Sequence, residues 1–158
     1  MASPVPWGYD RARAAVKTVA PGALDDAAVL SVDPSDLYAR GHVPDATWVC
    51  RSRLEANAPS VLPDRDRAVV VTCADGRHST LAAATLAALG HRDVAVLEGG
   101  VEAWRRAGLA LETGPTRLAD EPDDVVLKPY EKGRESMEAY LRWEMDLDDR
   151  GRSPHALR

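Results

Sequence analysis

The sequence predicts an α/β fold: a mostly parallel sheet with helices on both faces. Three observations carry this. The short apolar runs "AAVLSV", "RAVVVTC" and "DVAVLEGG" recur along the chain, stretches with helical apolar spacing lie between them, and glycine or proline punctuates most of the joints. Strands that are apolar throughout are buried on both faces, and strand–helix alternation supplies the cover, which is the pattern of parallel pairing.

In chain order, "GYDRARAAVKTVA" from Gly8 to Ala20 reads as one short amphipathic helix stopped at Pro21-Gly22. "AAVLSV", Ala27 to Val32, is a short buried strand. "PSDLYARGHVPDATWV" then gives a one-turn helix ending at Gly41, a turn at Pro44-Asp45 and a strand from Ala46 to Val49. A polar connection through Pro59 and Pro63 leads to the apolar strand "RAVVVTC". The helix after it carries Leu81, Thr85 and Leu89 in one row with Ala82 and Leu86 beside them, and Gly90 is placed to end it. "DVAVLEGG" is the next strand and "VEAWRRAG" the next helix, with Gly99 and Gly100 making the tight turn between them and Trp104 assigned to the core.

The division this implies is one domain over residues 1–113 and an extension over 114–158. Pro115, Pro122 and Pro129, set among carboxylates, describe an extended segment that crosses a surface. After Gly133, "RESMEAYLRWEMDL" is helical, with Met137, Leu141 and Met145 in a row flanked by Tyr140, Trp143 and Leu147. A stripe this broad needs cover, from its own domain or from a second copy in a homodimer. Residues 148–158 are expected to fray.

Composition narrows the function. A chain of 158 residues with 45% hydrophobic content supports one ordinary core. The net charge of −5, with both signs interspersed, gives no basic face for nucleic acid or anionic lipid. No apolar run approaches the roughly 20 residues of a membrane helix, and "MASPVPWGYDRAR" lacks the apolar segment of a signal peptide. The expected compartment is the cytoplasm. Cys50 and Cys73, without C-x-x-C spacing, read there as free thiols, with neither a disulfide framework nor a zinc site; no metal or organic cofactor is expected.

Chemistry concentrates at Cys73. In a parallel sheet, ligands gather at the carboxyl ends of the strands, and Cys73 stands at such an end. The loop after it, Ala74, Asp75, Gly76, Arg77, His78 and Ser79, is short and runs straight into a helix. Gly76 permits a positive φ, so successive backbone N–H groups can face the cysteine sulfur and any anion beside it. Such a cradle, with the helix dipole behind it, is expected to hold the thiol below its ordinary pKa and make a resting thiolate nucleophile. Asp75 can instead cap the loop through its N–H groups. Cys50, in "TWVC", reads as a small buried hydrophobe and His42 as the brace of a turn.

"GHVPDA" at Gly41 to Ala46, "VVVTCADGRHS" at Val69 to Ser79 and "VAVLEGGVEAWRRAGL" at Val94 to Leu109 together resemble, in order and spacing, the signature segments of a rhodanese domain. "LETGPTRLADEPDDVVLKPYE" and "MEAYLRWEMDL" resemble the C-terminal end of bacterial tandem-rhodanese sulfurtransferases. The resemblance implies a rhodanese-like three-layer sandwich and a sulfurtransferase working through a Cys73 persulfide held by the loop of Ala74 to Ser79. It implies thiosulfate or a small-molecule or protein-bound persulfide as donor, and a thiol, cyanide or a sulfur carrier as acceptor.

Three departures from the family pattern stand out. Ser31 and Asp33 occupy the places of a common Asp-x-Arg pair, Asp45 that of a common glycine, and Ala74 and Asp75 follow the cysteine where thiosulfate users often carry basic residues. A carboxylate beside a dianion at about 4 Å is unfavourable by on the order of 1 kcal/mol even in water, although Arg77 and His78 can offset it. The alternatives are a non-catalytic binding or regulatory module and, more remotely, a phosphatase or arsenate reductase. Those enzymes carry an arginine six residues after the cysteine, where this chain has Ser79.

Overall fold

Among the described residues, five short strands, β1 (Lys17–Val19), β2 (Ala28–Ser31), β3 (Thr47–Trp48), β4 (Val69–Thr72) and β5 (Val94–Leu97), form one all-parallel sheet in the order β1-β5-β4-β2-β3. The structure is a computed structural model that describes residues 4–126 and 128–151, with side chains through residue 147. The sheet and its helices belong to one compact unit, Met1–Val125; a second unit, Val126–Arg158, contains the last helix.

The alternation of β4 explains the layering. Val69 and Val71 point to one face, where they meet Leu30, Val94 and Val96 and the helices α3 (Leu54–Val61) and α4 (Arg77–Ala88) through Leu54, Ala58, Ala82, Ala83 and Leu86. Val70 points to the other, toward Val101 and Trp104 of α5 (Gly100–Arg106). Tyr38 of α2 (Ser35–Arg40) packs with Trp48 and Val29 beside them. The α/β sandwich expected from the sequence is therefore the one observed.

Two expectations do not hold. The helix anticipated from Gly8 to Ala20 ends early: α1 spans Tyr9–Ala15, Val16 turns extended (φ −101°, ψ 136°), and Lys17–Val19 becomes the edge strand β1. Val16, Thr18 and Val19 are β-branched, and pairing with Ala95, Val96 and Leu97 outweighs what helical continuation offers them. The polar connection expected through Pro59 is instead a 3₁₀ turn (Arg51–Arg53) followed by α3. Pro59 sits late enough to remove only one intrahelical hydrogen bond, and Leu54, Ala58 and Leu62 still bury one face.

The segment after α5 lies along the β3 edge. Trp48 donates its backbone N–H to Arg117 O (2.8 Å) and accepts from Ala119 N (2.9 Å), while His42 and Glu112 exchange two backbone hydrogen bonds at 2.9 Å. Asp120 fixes the segment further by accepting from Cys50 N (3.3 Å) and Asn57 Nδ2 (2.7 Å) and facing Arg53 Nε at 3.2 Å. Asp45, at φ 64°, adopts the left-handed conformation and pairs with Arg117 at 3.0 Å.

In the second unit, α6 (Arg134–Gly151) runs four residues beyond its expected end. It carries an Arg134–Glu138 ion pair at 2.9 Å and a tilted Tyr140–Trp143 ring pair at 6.0 Å. Of the tail expected to fray, residues 152–158 lie outside the described residues.

Candidate active site

The valines of β4 are buried to the end of the strand, and the chain then delivers Cys73 to its carboxyl end, 1% exposed. Gly76 takes φ 87°, which lets the chain turn at once into α4. The turn brings Ser79, six residues on, back over the sulfur. Ser79 N donates to Cys73 Sγ at 3.3 Å, and the thiol and the Ser79 hydroxyl are hydrogen-bonded at the same distance. Asp75 Oδ1 lies 3.9 Å from the sulfur and also accepts from Arg77 N at 3.0 Å, so the aspartate both caps the loop and faces the thiol. Arg77 Nε reaches Asp75 Oδ2 at 3.6 Å, and His78 is exposed.

The back of the loop is held by α5. Val101 N donates to Cys73 O and Glu102 N to Ala74 O, each at 3.0 Å. Gly100 makes this approach possible: its φ is 64°, and a Cβ there would stand 2.2 Å from Cys73 O and 2.6 Å from Ala74 O. The sequence reading gave Gly100 a turn; its closer duty is to let two helix N-terminal amides reach the loop carbonyls.

Asp33 is the residue whose position sequence reasoning missed. It follows β2, the strand beside β4, and Val32 N donates to Thr72 O at 3.0 Å, which carries Asp33 to the loop. Its Oδ1 accepts from Ala74 N at 2.7 Å. Asp33 is 5% exposed, and burial raises its carboxyl to about 6, with Asp75 and Asp36 raising it and the Ala74 hydrogen bond lowering it. Ser31, at the other altered position, is fully buried with its hydroxyl unpartnered. Asp33 and Ala74 line a cleft of about 170 Å³ with Leu37, Arg40, Gly41, Val101, Glu102 and Arg105.

The depressed thiol expected from the loop is not found. Burial pushes the Cys73 thiol up and Asp33 adds to this, against the hydrogen bonds from the Ser79 hydroxyl and amide and from the Gly76 amide. The cradle is partial, since the Ser79 and Gly76 amides act on the sulfur while Ala74 N is taken by Asp33 and Arg77 N by Asp75; what the sequence did not reveal is how deeply the sulfur is buried and that Asp33 adds its charge. Cys50 is buried and free, with Ser52 Oγ 3.2 Å from its sulfur. His42 is a brace: Nδ1 donates to Tyr38 O at 2.8 Å, Nε2 and Thr116 Oγ1 are hydrogen-bonded at 3.2 Å, and the ring stacks on Tyr38 at 3.8 Å. Among the described residues, no group of three or more His, Cys, Asp or Glu side chains could hold a metal ion, and no helix is long and apolar enough to cross a membrane.

The thiosulfate sulfurtransferase GlpE of Pseudomonas fluorescens is 35% identical over 79 residues, covering 50% of this chain and 71% of that protein. A crystal structure of a thiosulfate sulfurtransferase from Pseudomonas aeruginosa superposes with a TM-score of 0.73 at 34% identity; the match covers 84% of this chain but only 26% of that one. A Rhodopseudomonas palustris protein of unknown function, described as a possible tyrosine phosphatase, superposes at 0.61 with 27% identity over 71% of this chain and 96% of its own. The family model for the rhodanese-like domain matches residues 18–107, from the first strand through the helix that backs the Cys73 loop, and the chain belongs to that family.

Proposed function

We propose that this protein is a sulfurtransferase that carries sulfane sulfur as a persulfide on Cys73. The observation that carries the reading is a strand-end cysteine whose sulfur receives the Ser79 amide at the start of α4, in a loop braced from behind by α5. Cys73 Sγ attacks the outer sulfur of the donor, a new S–S bond forms, and the donor's own bond to that sulfur breaks. The leaving group, sulfite from thiosulfate or a thiolate from a persulfide, takes the bonding pair and, in the balance, the thiol proton. Cys73 is left as Cys–S–S⁻, whose terminal charge the inward amides favour. A thiol, cyanide or sulfur-carrier acceptor then attacks the outer sulfur and returns the cysteine. No electron is gained or lost overall, and the cycle needs no metal or organic cofactor.

The free thiols of Cys50 and Cys73 suit a reducing cytoplasm. Phosphoryl or arsenate chemistry is disfavoured because Ser79 stands where an oxyanion-holding arginine is required, and its hydroxyl is engaged with the nucleophile. A homodimer through α6 is part of this reading. Light scattering of the full chain, compared with a form lacking residues 129–158, should show a dimer reduced to a monomer; a full chain that is already a monomer would remove the dimer.

Intact-protein mass spectrometry after incubation with thiosulfate or a low-molecular-weight persulfide tests the main reading. The expected result is a gain of one sulfur atom, reversed by reductant and absent in Cys73→Ser. Failure of both donors to load a demonstrably free thiol would favour a binding or regulatory module instead.

A further inference from the structure

We infer that Asp33 sets the donor class of the Cys73 site, opposing doubly charged oxyanions such as thiosulfate and favouring persulfide donors of low net charge. This rests on the sulfurtransferase reading and specifies its substrate.

Ala74 N is the first backbone donor after the nucleophile, and Asp33 Oδ1 takes it at 2.7 Å. A protein carboxylate thus occupies a donor that an incoming anion would otherwise compete for, and brings its own charge to the place. The surrounding cations are each drawn to a carboxylate other than Asp33. Arg40 pairs with Asp36 on α2 at 2.8 Å, Arg77 with Asp75 in the loop at 3.6 Å, and Arg105 with Glu102 on α5 at 3.3 Å, Glu102 also meeting Arg106 at 3.2 Å. Among the described residues Asp33 faces no cation at ion-pair distance: its carboxylate accepts from the Ala74 backbone, and Asp75 and Asp36 act on it as like charges.

With its carboxyl raised to about 6, Asp33 is mostly ionised at pH 7.5. It is buried against the residue that follows Cys73 and contributes to the upward push on the Cys73 thiol, so its field reaches the reacting atom. In this partly desolvated setting a second negative charge on the donor is penalised more than in water. A zwitterionic persulfide brings its transferable sulfur without that penalty.

The test is the rate of sulfur loading, followed by intact mass, with thiosulfate and with cysteamine persulfide as the two probes. Asp33→Asn keeps an oxygen to accept from Ala74 N and removes the charge. The expected result at pH 7.5 is a rise of about tenfold in the thiosulfate-to-persulfide rate ratio. The thiosulfate rates of wild type and variant should also converge as the pH is lowered through about 6, where wild-type Asp33 becomes neutral. Asp33→Ser, a shorter neutral acceptor, provides the same comparison if the asparagine variant folds poorly. An unchanged ratio with both donors loading would overturn the inference alone. Loading by neither donor in any of the proteins would overturn the sulfurtransferase reading and this inference with it.

Discussion

Ser79 meets the Cys73 sulfur twice, through its amide and through its hydroxyl, each at 3.3 Å. The amide is fixed by the backbone, but the hydroxyl can reverse its role, accepting from the thiol and donating to a thiolate. Ser79→Ala is therefore expected to raise the Cys73 thiol further. Alkylation by iodoacetamide at pH 7.5 should slow by about tenfold, as befits the loss of one hydrogen bond to a charged group. The alkylation midpoint should move to higher pH; an unmoved midpoint would assign the stabilisation to the amides alone.

Asp33 also links stability to pH. Its folded carboxyl titrates at about 6 against an ordinary 3.8, so the folded state binds the proton more tightly than the unfolded chain. Its contribution is most favourable below about pH 4 and is lost as the pH rises through 6. Relative to Asp33→Asn, the wild type should lose on the order of 2–3 kcal/mol between pH 4 and 7.5. Urea denaturation of both proteins at the two pH values measures this, and a pH-independent difference would count against a buried ionised carboxylate.

Gly100 should tolerate no side chain. A methyl group placed there would overlap the carbonyls of Cys73 and Ala74, and a left-handed φ of 64° adds strain. Gly100→Ala is expected to cost about 3 kcal/mol or more and to reduce persulfide loading in whatever fraction folds. Thermal melting and loading assays on one preparation separate the two effects. Gly108→Ala, with nothing within 4 Å of its Cβ, controls for positive φ alone.

His42 should matter to stability and not to sulfur transfer. It is fully buried, bonded at both ring nitrogens and stacked on Tyr38. His42→Ala is expected to destabilise by about 2–4 kcal/mol through the cavity and the orphaned partners. Loading kinetics below the melting range should stay within about twofold, and a larger loss would place His42 closer to the chemistry than its contacts do.

What could be read in advance depended on whether the signal was local. The apolar run of β4 and the glycine three residues beyond Cys73 located that cysteine at the strand end, its loop and the helix behind it, since each is a property of neighbouring residues. β1 was hidden because Lys17–Val19 follows α1 without a break, although its β-branched residues were a usable hint. α3 was hidden by Pro59 and Pro63, which mark a loop only when no helix face is buried, and Leu54, Ala58 and Leu62 bury one. Asp33 was visible as a departure from the family pattern but not as a neighbour of Ala74, because that contact exists only once β2 lies beside β4. The raised thiol was illegible for a similar reason: spacing reveals which amides are near, not how much water is excluded.

Beyond β3 the sheet does not present a bare rim. The Trp48 amide and carbonyl are already bonded to Arg117 and Ala119, so the outermost main-chain groups on that side are closed by the protein's own chain. An exposed strand edge is a template on which another molecule can add a strand. Here that template is filled from within. Residues 117–119 thus serve as a guard against edge-to-edge polymerisation, and a chain cut back before them would keep Cys73 and its loop while gaining an adhesive flank.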